Sequence, residues 1–143
     1  MSNQKIDPAA TAVGFFRNGF YCSEAILQTY NRHLDLGLNE TAIRMASGFG
    51  AGLGAAKCTC GSLTGAVMVV GALKGRVKTS ESEKEVFELT KELHDRFKVK
   101  FKSICCRVLT RDLIWGTPQH HEFCDRFVYG AVEILEEILN KEQ

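Results

Sequence analysis

Apolar residues recur every three or four positions along most of this chain, which is the spacing of one face of an α-helix. Two long stretches show the pattern, one from Ser80 to Ile104 and one from Thr117 to about Leu139. The predicted buried faces are Val86, Leu89, Leu93, Phe97, Phe101 and Ile104 in the first stretch, and Phe123, Phe127, Ala131, Leu135 and Ile138 in the second. The residues predicted to face water include Glu133, Glu136 and Glu137. Both stretches are therefore predicted to be amphipathic helices.

Local signals mark where the helices begin. They are the N-cap and proline pairs Asp7-Pro8 and Thr117-Pro118, the cap Asn39-Glu40 of a short third helix, and a capping box formed by Ser80 and Glu83. A second helix is expected to open at Cys22 and to run to about Gly37.

One stretch conflicts with the helical pattern. Residues 96–103 alternate polar and apolar side chains, as a strand does. The helical spacing nevertheless continues through Phe97 and Phe101, and no other stretch offers a convincing strand with which this one could pair. The prediction is therefore an all-α protein.

The stretch from Ser62 to Leu73 differs from the amphipathic helices because it is apolar on nearly all sides. Such a helix is buried all round, so we predict a helical bundle around a central helix at about residues 60–74. Small residues recur along this helix and leave a shallow face against which another helix or a ligand can pack. The residues of this face are Gly61, Gly65, Met68, Ala72 and Gly75.

A glycine-rich segment, residues 48–54, leads into the central helix. Glycine permits positive φ and close approach of other atoms to the backbone, so we predict a loop wrapped near a site. The candidates for contact with a bound cofactor are Gly50, Gly52 and Gly54. The segment is not a Rossmann fingerprint, since a helix rather than a strand is predicted before it and the third glycine is misplaced.

Length and charge narrow the class of protein. A chain of 143 residues is about one domain, so a single domain over residues 1–143 is expected. The net charge is +1 with both signs mixed along the chain, so neither nucleic acid nor an anionic membrane is an expected partner. The N-terminus lacks an apolar signal core, and the longest apolar run is shorter than the roughly 20 residues that span a bilayer. We therefore expect a cytoplasmic protein.

Six cysteines carry the candidate chemistry. In a reducing compartment, metal binding or redox chemistry explains so many cysteines better than structural disulfides do. Cys60 and Cys22 lie at predicted helix N-termini, where free N–H groups and the helix dipole favour a thiolate. Cys106 follows the long helix, and Cys124 lies within the last one. These four are too far apart in sequence for a zinc knuckle, so any shared site must be assembled by the tertiary fold.

The contexts of these cysteines resemble a known family. They are Cys22-Ser23-Glu24-Ala25, the glycine-rich segment, Cys60-Gly61-Ser62-Leu63-Thr64-Gly65, Ser103-Ile104-Cys105-Cys106-Arg107 and the late Cys124. From about Val13 to Leu139 the chain is similar to the bacterial and archaeal C_GCAxxG_C_C family of redox-active proteins, with Ser62 where the family usually has alanine. Split-Soret cytochrome c proteins share similar sequence, but this chain has no C-x-x-C-H motif for haem attachment. The resemblance implies a helical redox or cluster-binding protein whose functional cysteines are Cys22, Cys60, Cys106 and Cys124.

Three functions are open at this point. In the first, Cys22, Cys60, Cys106 and Cys124 ligate an iron–sulfur cluster, or another metal such as zinc, for electron transfer. In the second, no metal is bound, Cys60 is the reactive thiol of a dithiol/disulfide pair, and a second cysteine such as Cys22 resolves the intermediate. In the third, the protein is a helical interaction module whose cysteines only pack. The first is favoured, together with an unidentified redox partner protein and a homodimer.

Four further residues have less defined roles. Cys105 is interpreted as a small buried hydrophobe, whereas Cys58 either chelates a metal or flanks the loop. His120 and His121 precede Cys124 by four and three residues, so one of them can share its helix face as a ligand or proton donor. The favoured interpretation places both histidines at the surface in the first turn of the last helix.

Overall fold

The computed structural model describes residues 6–141. Its helices are α1 Pro8–Arg17, α2 Cys22–His33, α3 Glu40–Arg44, α4 Gly50–Leu53, α5 Gly61–Lys74, α6 Lys84–Phe101, α7 Cys106–Leu109 and α8 Pro118–Asn140. A 3₁₀ turn, Ser47–Phe49, precedes α4. No strand occurs in the described residues, so the all-α prediction is confirmed. Within the same range, no helix combines the length and the apolar character needed to cross a membrane.

The predicted helix starts are confirmed where an N-cap side chain and a proline coincide. The Asp7 carboxylate accepts hydrogen bonds from the backbone N–H groups of Ala9 and Ala10, at 3.1 and 3.3 Å. The Thr117 hydroxyl accepts one from the N–H of His120 at 3.2 Å. These caps give partners to N–H groups that have none inside the helix.

Helix α6 begins later than the sequence indicated. The predicted capping box at Ser80 and Glu83 is wrong, because the helix starts at Lys84 and Glu83 makes no side-chain cap. The hydroxyl of Ser82 instead accepts a hydrogen bond from the Lys84 N–H at 3.1 Å. Beyond this start the helix continues to Phe101, so the helical interpretation of the alternating stretch is confirmed as far as that residue.

Buried side chains of α1, α2, α5, α6 and α8 form the hydrophobic core. Leu63, Ala66 and Val69 contribute to it from α5, which contacts α2, α6 and α8. The buried positions of α5 end at Val70, and Ala72 is exposed. Burial on all sides is therefore not reached at the C-terminal end of this helix.

Helices α2 and α5 approach each other closely at two glycines. A Cβ atom at Gly65 would lie 2.8 Å from Ser23 Cα, and one at Gly61 would lie 2.5 Å from Cys22 Sγ. Only the absence of a side chain permits this approach. The first half of the predicted small-residue face thus receives α2, and the contact places the N-termini of the two helices together.

Glu136, which was predicted to face water, forms a hydrogen bond with a residue of the core. The hydroxyl of Tyr30, a fully buried residue, donates a hydrogen bond to Glu136 Oε2 at 2.7 Å. Glu136 is half-buried on α8, whereas Glu133 and Glu137 on the same helix are exposed. The surface prediction for Glu136 is wrong because a buried hydroxyl needs a hydrogen-bond partner.

Candidate functional site

The glycine-rich segment folds into a left-handed turn, which includes α4, so α4 is not a regular right-handed helix. Positive φ occurs at five consecutive residues, Ala51 (53°), Gly52 (68°), Leu53 (76°), Gly54 (55°) and Ala55 (71°). Three of them are not glycine, and this conformation costs such residues about 1 kcal/mol or more each. The turn is closed by two backbone hydrogen bonds, from Lys57 N to Ala51 O at 3.2 Å and from Cys58 N to Gly52 O at 3.0 Å.

Gly50 and Gly52 let this turn pack closely on the rest of the protein. A Cβ atom at Gly52 would lie 2.6 Å from Cys58 N and 2.9 Å from Cys106 Cβ. A Cβ atom at Gly50 would lie 2.7 Å from Tyr21 Cβ. Of these two glycines, Gly52 has the positive φ that the sequence suggested, whereas Gly50 has a φ of −63°. Contact of the predicted glycines with a cofactor stays a prediction.

A short backbone pairing brings two cysteine segments together. Thr59 and Cys105 form an isolated antiparallel bridge. On one side of the bridge the Cys60 N–H donates a hydrogen bond to Ile104 O at 2.8 Å. On the other side the Cys106 N–H donates one to Cys58 O. Cys60 and Cys106 are thereby held on neighbouring segments. The sequence did not reveal this pairing, because the paired segments are too short to show the polar–apolar alternation of a strand.

Cys60 is the N-cap of α5, and Cys22 is the first residue of α2. The Cys22 thiol donates a hydrogen bond to the Cys60 sulfur, which is the main reason why the pKa of Cys60 falls from 9.0 to about 7. Burial opposes this change, whereas the backbone N–H groups of Ser62 and Leu63 lower the pKa of Cys60 further. The same hydrogen bond, aided by burial, raises the pKa of Cys22 well above its ordinary value. Cys60 is therefore the member of this pair that ionises first.

Cys106 and Cys124 remain protonated at neutral pH. Burial, followed by the charge of a Cys60 thiolate, raises the pKa of Cys106 to about 11 and that of Cys124 to about 12. None of the six cysteines forms a disulfide. Of the four, Cys60 is therefore the cysteine with the lowest pKa.

These four cysteines line one cavity of about 280 Å³. Its wall is mostly apolar and includes Phe16, Tyr21, Trp115, His120, His121 and Phe127. The left-handed turn contributes Ala51, Gly52 and Ala55. Cys58, which is exposed, and Cys105, which is half-buried, are not part of this wall. The fold thus brings together Cys22, Cys60, Cys106 and Cys124.

His120 was expected at the surface, but it lines the cavity. The backbone N–H of Gly116 donates to His120 Nδ1 at 3.2 Å, so the proton of the neutral ring is on Nε2. Nε2 is buried and has no hydrogen-bond partner among the described residues. Burial, followed by the charges of His121 and Lys57, lowers the pKa of His120 and favours the neutral ring. The spacing of His120 from Cys124 was the sequence signal for this position.

His121 has a different environment from its neighbour. Its ring stacks on Phe16, with centroids 4.1 Å apart and planes at 5°. The residue is exposed, as the sequence predicted, although it contributes to the edge of the cavity. His121 therefore covers the apolar wall.

The possible metal ligands are not grouped around one point in the described residues. Within residues 6–141, no three or more His, Cys, Asp or Glu side chains are grouped so that they could hold a metal ion. The iron–sulfur cluster and zinc therefore stay predictions of the sequence.

Four reduced cysteines around one cavity, one of them with a lowered pKa, are typical of redox-active proteins. Residues 20–138 match a family model described as "Putative redox-active protein (C_GCAxxG_C_C)". The chain belongs to this family, which confirms the resemblance seen in its cysteine contexts. No curated protein and no solved structure matches the chain.

Proposed function

We propose that the protein carries out thiol–disulfide redox chemistry at Cys60 and Cys22. The observation that supports this function best is the position of the Cys22 sulfur, which packs against Gly61, next to Cys60, at the wall of the shared cavity. Its thiol is also the main cause of the lowered pKa of Cys60. A thiolate at neutral pH is the attacking species in disulfide exchange. Cys22 lines the same cavity next to Cys60, so its thiol is available to resolve the intermediate.

The reaction has two steps. The Cys60 thiolate first attacks one sulfur of a substrate disulfide, forms a mixed disulfide and releases the other sulfur as a thiolate. Cys22 then gives its proton to the leaving thiolate, attacks Cys60 and releases the second substrate thiolate. Two electrons have passed to the substrate, and the protein holds a Cys22–Cys60 disulfide. A dithiol of a redox partner protein restores the reduced state by the reverse exchange.

The surroundings of Cys60 restrict how it is reached. Its side chain is only 5% exposed, and the cavity is the route to its sulfur. Cys106 and Cys124 line the same cavity but keep their protons, because the pKa of each is raised. The first attack is therefore assigned to Cys60.

An iron–sulfur cluster is the second candidate, because four thiols around one cavity form the soft donor set that such clusters and zinc prefer. Cys22, Cys60, Cys106 and Cys124 would hold the cluster, which would supply electron transfer. Loading would remove protons from three of these thiols and would require side chains to move, since no metal-binding group is preformed in residues 6–141. Dithiol chemistry is placed first for this reason.

Mapping of disulfides tests the proposal. Protein purified without air is assayed for iron, zinc and labile sulfide, then oxidised with a small disulfide and analysed by peptide mass spectrometry. We expect one disulfide, between Cys22 and Cys60, and loss of the two-electron oxidation in Cys22→Ser and Cys60→Ser. Cys105→Ser is the matched control, since Cys105 is close in sequence to Cys106 but outside the cavity wall, and it should behave as the wild type. Stoichiometric iron and sulfide that are lost when Cys22, Cys60, Cys106 or Cys124 is replaced by serine would replace the dithiol function by the cluster.

We also propose a homodimer, formed through a smaller part of the small-residue face than the sequence suggested. Helix α2 occupies the part of the small-residue face at Gly61 and Gly65, so the part around Ala72 is what a second copy would cover. Light scattering over a wide concentration range tests this assembly. The mass of a single chain at every concentration would reject it.

A further inference from the structure

The wall of the cysteine cavity offers no ion-pair partner to a substrate. Among the described residues that line it, none carries a carboxylate, an ammonium or a guanidinium group, and most of the surface they present is apolar. Phe16, Trp115 and Phe127 are part of this apolar surface. Burial lowers the pKa of His120 and so favours its neutral ring. A charged group that entered the cavity would therefore lose water without gaining a partner of opposite charge from the wall.

Charges near the wall do not offset this loss of water. A Cys60 thiolate attracts a cation, but its charge passes to the leaving sulfur during exchange. The Lys57 ammonium attracts an anion, and it lies over the Trp115 ring, 4.6 Å from the ring centroid, although Lys57 is not part of the wall. An ion pair near the surface stabilises much less than the burial of an unpaired charge costs.

The burial of Cys60 makes the cavity a filter. Its side chain is 5% exposed, so a substrate sulfur must enter the cavity to reach it. The groups attached to that sulfur must enter at least in part with it. The volume of about 280 Å³ is close to that of the smallest pockets that hold a drug-sized molecule, about 300 Å³. Small groups without charge are the ones that this space and this wall accept.

We propose that the substrate is a small, uncharged disulfide R–S–S–R, and that the cavity discriminates against disulfides of the same size that carry carboxylate or ammonium groups. This inference rests on the proposed function, because Cys60 attacks the substrate and Cys22 resolves the intermediate. It adds the class of substrate.

The exchange balances without a further reactant. Cys60 forms a bond to one substrate sulfur, the S–S bond of R–S–S–R breaks, and the leaving thiolate takes the proton of Cys22. Cys22 then attacks Cys60 and releases the second R–S⁻, which takes a proton from water. Two electrons have reduced the substrate to two thiols, and the protein holds the Cys22–Cys60 disulfide.

A series of disulfides that differ only in charge tests the inference. Reduced protein is mixed at about pH 8, where histidine rings are mostly neutral, with hydroxyethyl disulfide, with its dication cystamine analogue or with its dianion analogue dithiodipropionate. Peptide mass spectrometry of acid-quenched samples follows the modification of Cys60 apart from that of the exposed Cys58. Each rate constant is divided by that of the mercaptoethanol thiolate with the same disulfide, so that intrinsic reactivity and the attraction of a thiolate for a cation cancel. The normalised rate should be at least about tenfold higher for hydroxyethyl disulfide than for either charged compound.

A charge placed in the wall provides the second measurement. Tyr21 lines the cavity and is 55% exposed, so Tyr21→Lys puts an ammonium group at its edge. This variant should raise the normalised rate with dithiodipropionate roughly threefold or more. Tyr129→Lys is the matched control, because Tyr129 is 41% exposed on α8 but lies outside the cavity wall. It should leave that rate unchanged, and the wild-type series tests the inference even if a variant fails to fold.

The outcomes separate this inference from the proposed function. Equal normalised rates for the three disulfides, a highest rate for either charged one, or equal effects of Tyr21→Lys and Tyr129→Lys would overturn the substrate class, even if the Cys22–Cys60 disulfide still forms. A preference for hydroxyethyl disulfide that ends in a lasting mixed disulfide at Cys60 supports the substrate class and rejects the dithiol function.

Discussion

Helix α2 connects two regions of the protein that are built in different ways. Near its C-terminal end, the buried hydroxyl of Tyr30 is matched by the Glu136 carboxylate at 2.7 Å, among regular helices. At its N-terminal end, Cys22 lines one cavity together with the left-handed backbone turn, Cys60 and His120, whose buried Nε2 has no hydrogen-bond partner among the described residues. The same helix therefore serves one region whose polar groups are satisfied and one whose polar groups are not.

The difference indicates which region has been shaped by function. Left-handed non-glycine residues and unpartnered buried donors each lower stability by about 1 to 3 kcal/mol. Such features persist only where the surrounding structure holds them, and they concentrate at sites that bind or react. In this protein Ala51, Ala55 and His120, which have such features, line the cavity that holds four cysteines. The Tyr30 region supplies the ordinary packing that keeps them in place.

The largest expected effect is at the contact that joins α2 to α5. Gly65→Ala places a Cβ 2.8 Å from Ser23 Cα and should lower the free energy of unfolding by about 2 to 3 kcal/mol. Gly14→Ala is the control, because Gly14 is also helical but has open space around its Cβ. That change should stabilise the protein by up to about 1 kcal/mol. Urea denaturation compares the two, and equal effects would show that the helices do not touch at Gly65.

The second largest effect is expected in the region around Tyr30, where the buried polar groups are hydrogen-bonded. Glu136→Ala removes the partner of the buried Tyr30 hydroxyl, so it should cost about 1 to 2 kcal/mol. Glu133→Ala on the same helix breaks only an exposed ion pair with Lys100 at 3.6 Å, which is worth less than about 1 kcal/mol. Thermal unfolding of both variants provides the measurement. Equal small losses would return Glu136 to the water-facing class that its sequence position suggested.

The fold could be predicted from the sequence because its signals are local. Asp7 and Thr117 cap helices that begin at proline, and the apolar spacing around Phe97 carries through a stretch that alternates like a strand. The capping box at Ser80 was misleading, since a serine and a glutamate three residues apart are common in solvated loops. Glu136 was misplaced because helical spacing alone does not show which neighbour lies beside an intermediate position.

The site was predictable only in part. The cysteine contexts named Cys22, Cys60, Cys106 and Cys124, but the sequence could not show which two are in contact. That depends on Gly61, whose missing side chain admits the Cys22 sulfur. Positive φ at Ala51, Leu53 and Ala55 was not foreseen either, because tertiary contacts impose it against the preference of these residues.

A smaller effect concerns the pH dependence of the reactive region. The folded pKa of Cys60 is about 7, below its ordinary value of 9.0, so its ionisation stabilises the fold fully above pH 9 and this contribution is lost as the pH falls through 7. Denaturation of reduced wild type and Cys60→Ser at pH 6 to 9 should show a difference that grows with pH, on the order of 1 kcal/mol. A difference for Cys60→Ser that shrinks with rising pH would contradict the thiolate.

The smallest expected effect measures the strain in the left-handed turn. Leu53 is exposed and has a φ of +76°, so Leu53→Gly removes the cost of a left-handed backbone at a leucine. Because Leu53 is not part of the core, the loss of its side chain removes little buried apolar surface. The gain is offset in part by the greater entropy of an unfolded glycine, and we expect a net stabilisation of about 0.5 to 1 kcal/mol. Leu34→Gly is the matched control, because Leu34 is similarly exposed but has a φ of −105°. It should lose about 0.5 to 1 kcal/mol in the same denaturation experiment. If Leu53→Gly stabilises the protein and Leu34→Gly destabilises it, the strain lies in the turn beside the cysteines. If both variants lose stability, the turn is relaxed, and the two regions of the protein differ only in their polar groups.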